Sequence, residues 1–567
     1  MGTETDVVSY LRTLAAAEAQ TAAARWDDAA PLWQQVVAHN PVTGAHWDRL
    51  AEARYELGDY AGALTAYERV QDLGVMRFRT EADSSFPGEV SYRIACCYAR
   101  LGNTEDAISW LAEAIREGLR DLERPASDQA WSQLIADDRV RALLGIFDLE
   151  GLTRTQGWQA DLTFFARELK RRAFAPWRET TEAEFDAKVH ELTSSVSELS
   201  DAEIMCRLME LLRPLGDGHA WISPPPGNDE LRLTLPVKFY SFAEGLFITA
   251  ADPEYSRLVG ARVLEVGGRA VDSVLSALEP LLSRDNSQQL KWQRAETLRW
   301  STILHALGVV NDPGSVQLKV QFPGAATGEV AVAATAASTP DFPASAHPAA
   351  ALRPRPTGWI SLPDIAAQPL PLYLRNPSVA YWFEYMRDDG LVYLQVNGVH
   401  DHPAESLASF FDRVFAFIGS HPVDRLVIDL RWNPGGNTFL TQVLLHHLIG
   451  CPQINHRGGL FVIIGRAMFS AAQNTATAIE RETEAIFVGE SSGSRPNFVG
   501  ESIPFTLPFS KMRVNISDLY WQTSWPMDHR PWISPDIYTP PTFEAYSQNR
   551  DLALDAILSA VEHLPGY

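Results

Sequence analysis

The sequence predicts a multidomain protein of the α and α/β classes: an N-terminal α-solenoid, a helical cap, a small β-rich module and a C-terminal α/β core. Three observations predict it. An Ala/aromatic pattern recurs along the first 120 residues, since Ala29 and Trp33 return 34 residues later as Ala63 and Tyr67, and again after 44 residues as Ala107 and Leu111. A Pro/Gly-rich stretch, LRPLGDGHAWISPPPG, ends a helical pattern and opens a β-rich region. Beyond residue 346 strand and helix patterns alternate, which implies parallel strands joined by crossovers.

Composition narrows the function classes. Hydrophobic residues are 46% and charged residues 21% of 567, the usage of globular chains rather than disordered or fibrous ones. That length implies roughly three to four domains. With 48 Lys plus Arg against 71 Asp plus Glu, the net charge of −23 repels phosphate backbones and anionic lipid, so neither nucleic acid nor a membrane surface is expected as a partner. The first twenty residues carry acids and no export signal, and the longest apolar run, LFVIIG, is too short for a membrane span. Cys96, Cys97, Cys206 and Cys451 form no CxxC pair. Neither a disulfide framework nor a zinc knuckle is expected, and a cytoplasmic location is.

Each element has its own justification. In the repeats, small alanines let paired helices approach while Trp33, Tyr67 and Leu111 fill the space between them. The spacing, with Trp47, Leu50 and Gly58 ahead of the second copy, resembles the tetratricopeptide repeat and implies a domain over 1–150, with an insertion before the third copy. Such an array either binds peptides or acts as a stabilising cap on the rest of the chain. Cys96 and Cys97 fall on a repeat helix as small apolar core residues. Over 151–228, Leu162, Phe165, Leu169, Phe185, Val189, Leu192 and Val196 follow helical spacing. Residues 229–345 hold strands at LPVKFYSFAEGLFITAA, ARVLEVGGRAVDSVLSAL and SVQLKVQF; the Ala/Pro/Ser/Thr-rich stretch 323–357 reads as a linker around one short strand. The core, 346–567, runs LVYLQVNG, AESLASFFDRVFAFIG, DRLVIDLR, TFLTQVLLHHLIG, GLFVIIG, SAAQNTATAIER and AIFVGE.

Ligands of such sheets bind at the carboxyl ends of strands, and two junctions there carry chemistry. DRLVIDLR runs into WNPGGN, where Gly435 and Gly436 leave backbone N–H groups uncovered, as an oxyanion hole requires. GLFVIIG runs into RAMFSAAQNTA, which sets Ser470 at a helix N-terminus. Each feature alone also reads as an ordinary tight turn or a helix cap.

Together, DLRWNPGGN, MFSAAQ, LGDGHAWI, GESSGSRPNFVGE and SPDI resemble, in order, the motifs of the tail-specific or C-terminal processing serine peptidases, including the tricorn core protease. The resemblance covers about residues 157–567. It implies a crotonase/ClpP-like core, a helical cap, a PDZ-like insert and serine peptidase activity on peptide or protein substrates, without a cofactor or metal. Lysine-type members carry their base where this chain has Arg495, and arginine stays protonated. The tricorn-like arrangement is therefore implied: Ser470 as nucleophile and His219 as base, with Asp528 orienting the imidazole and Asp217 as its rival. Aligned one residue later, the Asp528 position falls on His529. Backbone N–H groups of Gly435 or Gly436 and Ala471 would hold the oxyanion.

Competing readings are weaker. GESSG at 489–493 matches the G-x-S-x-G nucleophile elbow, but Ser494-Arg495-Pro496-Asn497 breaks the helix that Ser491 would need. His400, Asp401 and His402, or His446 and His447, lack a third ligand cluster for a metal. An esterase or thioesterase using Ser470, or an inactive peptide-binding scaffold, stays open, as does a homo-oligomer or a protein partner held by the repeats.

Overall fold

The computed structural model describes residues 4–75, 88–337, 358–366, 368–376 and 378–561. The chain divides into two compact units, Met1–Gly151 and Leu152–Tyr567. Among the described residues the first is helical and without strands, with antiparallel partners Glu4–Ala22, Trp26–His39, Gly44–Glu56, Tyr60–Leu73, Glu89–Arg100 and Thr104–Arg116. The recurring residues do the same work in each copy. Ala29 and Trp33, Ala63 and Tyr67, and Ala107 and Leu111 are all buried on the second helix of a pair. Most of the insertion before the third copy, residues 76–87, lies outside the described residues. Burial pushes the thiols of Cys96 and Cys97 up to about 12, as fits packing rather than reactivity.

The second unit opens with helices Arg154–Arg172, Glu182–Ser195 and Asp201–Leu212. Each begins with a capping box, Thr153 with Gln156, Thr181 with Glu184 and Ser200 with Glu203, in which side chain and backbone satisfy each other's orphan groups. Trp158, Leu162, Phe165 and Phe185 share one hydrophobic cluster with the adjoining β-rich module. That module is an antiparallel sheet of seven strands in the order Ile360–Ser361, Gly245–Ala251, Arg262–Val266, Ser315–Gln321 and Thr327–Ala333, with Val237–Phe242 on the second and Arg269–Ala270 on the third.

Three features depart from the sequence reading, the first being that Ile360–Ser361, within the expected core at 346–567, pairs with Gly245–Ala251 of the β-rich module. VDSVLSAL, read as strand, is the helix Val271–Leu278, whose Val274, Leu275 and Leu278 turn one face inward. Helix Ser287–Thr297 escapes notice because most of what it buries is polar, Gln289, Gln293, Glu296 and Thr297 beside Leu290 and Ala295. The strand within the expected linker, Thr327–Ala333, pairs along its whole length with Ser315–Gln321. Residues 338–357 lie outside the described residues.

The core sheet has six strands in the order Tyr381–Met386, Leu391–Val396, Arg425–Asp429, Leu460–Ile464, Ile486–Gly489 and Ile537–Tyr538. The first pair is antiparallel and the rest are parallel. Apolar clusters line both faces, one with Leu394, Ile428 and Val462, the other with Tyr393, Val427 and Phe461, which is why these strands read as unbroken apolar runs. A hairpin, Asn497–Thr506 with Arg513–Gln522, takes Trp221–Ser223 on its edge. This three-residue strand ties the DGHAW loop to the hairpin.

Candidate active site

Strands Arg425–Asp429 and Leu460–Ile464 are parallel neighbours, so the turns that leave their carboxyl ends face each other. Asn433 locks them together. Fully buried, it accepts from Phe469 N–H at 3.0 Å through its carbonyl and from Gly435 N–H at 2.9 Å through Oδ1, and donates through Nδ2 to Val396 O at 3.1 Å. Gly435, at φ 108°, lets the Ser470 turn approach: a Cβ there would lie 2.6 Å from Ser470 Cβ and 2.8 Å from Ala471 N.

Ser470 begins helix Ala471–Glu482 at φ 55° and ψ −125°, a backbone conformation that a non-glycine residue rarely holds. Its side chain makes no capping bond. A hydroxyl displayed from a strained strand-to-helix turn is the geometry of a nucleophile elbow. The G-x-S-x-G match at Gly489–Gly493 leads instead into strand Asn497–Thr506. Among the described residues, no hydrogen bond engages the N–H groups of Gly436 and Ala471, whereas Gly435 N–H is committed to Asn433. The pair with open donors is thus Gly436 and Ala471.

His219 lies beside this turn. Its ring is 4.3 Å from that of Phe469, the residue before Ser470, and stacks at 5.9 Å on Phe498. Both imidazole nitrogens are buried without a hydrogen-bond partner. Nδ1 is 3.7 Å from Asp217 Oδ1, which among the described residues is the only carboxylate within 4 Å of the imidazole nitrogens. Asp217 also shapes the loop, accepting from His219 N–H at 2.8 Å and from Ser517 N–H and Oγ at 3.0 and 3.1 Å.

The carboxylate that the structure brings to His219 is therefore that of Asp217, not Asp528. Asp528 accepts from Ser524 Oγ at 2.6 Å and from Arg530 Nη2 at 2.7 Å, and Arg530 also pairs with Glu480. The Arg530 hydrogen bonds hold its carboxyl well below the usual range. His529 is exposed. Arg495 Nε donates to Asp285 O at 2.9 Å, a linking role rather than a base's.

The other histidines have local tasks. His402 Nδ1 accepts from Ala404 N–H and Asp401 Oδ1 from Leu407 N–H, shaping one loop. His447 Nε2 lies 2.7 Å from Asp412 Oδ1 and its ring stacks on Phe415; His446 is exposed. Sequence reasoning missed Asp285, Gln289 and Ser494, which bracket the His219 loop. The one signal for them was Asn286, whose Oδ1 accepts from Gln288 and Gln289 N–H as an N-cap.

The tetratricopeptide repeat family model matches residues 14–74. No curated protein sequence matches the chain. Among solved structures it is similar to a serine-to-alanine mutant of CPAF, at 14% identity and a TM-score of 0.51 over 73% of this chain and 99% of that one. It is also similar to mature CPAF, at 14% identity and 0.49 over 72% and 97%, and to the photosystem II D1 C-terminal processing protease, at 12% and 0.34 over 72% and 98%. The chain thus carries an N-terminal tetratricopeptide repeat and the fold seen in CPAF. No helix among the described residues is long and apolar enough to cross a membrane.

Proposed function

We propose that the protein is a serine peptidase of the tail-specific type, with a tricorn-like Ser470, His219 and Asp217 site. Ser470 Oγ attacks the scissile carbonyl while His219 takes its proton. The N–H groups of Gly436 and Ala471 receive the oxyanion, and His219 returns the proton to the leaving amine. Water then attacks the acyl-enzyme by the same route, releasing the acid and restoring Ser470. Asp217 faces Nδ1, leaving Nε2 for the hydroxyl; a small closure from 3.7 Å would make the orienting bond.

The observation that carries this reading is the strained backbone of Ser470, which displays an uncommitted hydroxyl beside an uncommitted helix N–H. The ordered sequence motifs favour a peptide over an acyl ester, and the repeat array adds a surface on which a long substrate can be recruited.

The test compares kcat/KM for a peptide panel and a panel of acyl esters, using wild type and Ser470→Ala. Peptide hydrolysis that disappears in the variant is expected. Hydrolysis confined to esters would make the protein an esterase, and none of either kind would leave a binding scaffold.

A further inference from the structure

Outside the three site residues, a set of buried polar contacts gathers at residues 283–289, just before and within helix Ser287–Thr297. Asp285 is 3% exposed and bridges two segments of the site. Its Oδ1 accepts from the N–H of Gly218, the residue before His219, at 2.8 Å, and its Oδ2 accepts from Ser494 Oγ. Gln289, 1% exposed, closes the arrangement: Nε2 donates to Gly218 O at 3.1 Å and Oε1 accepts from Asp285 N–H at 2.7 Å. Ser283 Oγ donates to Asp217 O at 2.7 Å, and Asn286 Nδ2 to Ser492 O and Pro531 O at 3.1 and 2.8 Å.

Both peptide groups of Gly218 are thus held by side chains of one short segment. That segment is also bound to the 492–495 loop. There is no slack at this point, since a Cβ on Gly218 would lie 2.6 Å from Gln289 Oε1 and 2.8 Å from the Phe469 ring. Phe469 in turn precedes Ser470 and packs on His219. Displacing the Gly218 peptide would move the imidazole relative to the hydroxyl that it must deprotonate. A buried carboxylate is a costly way to fix a loop unless its acceptors are used, and both oxygens are. Burial raises the Asp285 carboxyl, against the attraction of His219 and the hydrogen bond from Ser494.

We propose that Asp285, with Gln289, is a positioning residue for the reaction: it acts through Gly218 to hold His219 in line with Ser470 and touches neither substrate nor nucleophile. This rests on the serine peptidase reading of Ser470 and His219. A group that only positions the base should affect turnover and leave substrate binding alone.

The test measures kcat and KM for a chromogenic peptide with Asp285→Ala, Asp285→Asn, Gln289→Ala and Ser470→Ala in the full chain. A misplacement of about 1 Å costs up to about 100-fold. Asp285→Ala should therefore lower kcat by about that factor at unchanged KM. Asp285→Asn retains an acceptor for Gly218 and a partner for Ser494, and should recover most of that loss. Gln289→Ala should lower kcat at unchanged KM even if Asp285→Ala does not fold. If kcat is unchanged in Asp285→Ala, or in Gln289→Ala where the former does not fold, the positioning role is refuted. Equal loss in Asp285→Ala and Asp285→Asn, or a rise in KM with kcat intact, would also refute it. Activity surviving in Ser470→Ala would instead overturn the underlying peptidase reading.

Discussion

Comparing Ser470→Gly with Ser470→Ala isolates the backbone strain at the proposed nucleophile. Both variants lack the hydroxyl, so both should lose hydrolysis. They differ by one methyl group on a residue held at φ 55° and ψ −125°. A non-glycine residue in so sparsely populated a region costs about 1–3 kcal/mol, whereas the extra freedom glycine loses on folding costs about 0.5–1 kcal/mol. The difference leaves glycine the more stable of the two by about 1 kcal/mol. The hydroxyl makes no capping bond, so Ser470→Ala itself should lie close to wild type in stability. Urea denaturation of the three proteins, followed by tryptophan fluorescence, measures both differences. If Ser470→Gly were less stable than Ser470→Ala, the turn would not be held in the strained conformation, and the elbow reading of Ser470 would fall with it.

The remaining predictions address the parts around that turn. His219→Ala should lower kcat by several orders of magnitude, leaving what the oxyanion donors and binding supply; a loss under tenfold in steady-state assays, with chemistry rate-limiting, would remove His219 as the base. Gly435→Ala would push a methyl group to within 2.6 Å of Ser470 Cβ at a φ of 108°, so it should slow active-site labelling and lower stability together; wild-type behaviour in both would contradict the close approach of the two turns. Burial would raise the fully buried Glu168 carboxyl, but Arg171, Arg172 and Arg167 override it and hold the group below its ordinary value. Its stabilising contribution is therefore present at neutral pH and lost as pH falls through that lowered value, and Glu168→Gln should cost about 3–5 kcal/mol by calorimetry at pH 7. Removing residues 1–151 should leave short-peptide kcat/KM intact and lower that for long chains; an unchanged ratio would reject a recruiting role for the repeats.

Some of this was legible because periodicity reports burial directly. The repeat residues Ala29, Trp33, Ala63 and Tyr67 and the apolar strands at Leu426, Val462 and Val488 announce their elements by pattern alone. The two turns were legible too, since glycine in WNPGGN and a serine opening an alanine-rich helix each imply a backbone task. Helix Ser287–Thr297 was hidden because Gln289, Gln293, Glu296 and Thr297 outnumber Leu290 and Ala295 among its buried residues, and burial of the polar ones depends on partners distant in sequence. The choice of Asp217 over Asp528 was equally illegible. Both are loop acids in the sequence, and what separates them is that Arg530 and Ser524 occupy Asp528 while Ser517 and the N–H of His219 hold Asp217 beside the imidazole. The commitment of Gly435 N–H to Asn433, which shifts the open donor to Gly436, likewise has no sequence signature.

The central claim is that Ser470 is a nucleophile activated by His219. Fluorophosphonate labelling of the full chain, with the modified residue identified by peptide mass spectrometry, tests it most directly. The predicted result is a single adduct on Ser470, absent in Ser470→Ala and formed far more slowly in His219→Ala. An adduct on Ser491, or peptide hydrolysis that continues in a chain that takes no label, would contradict it.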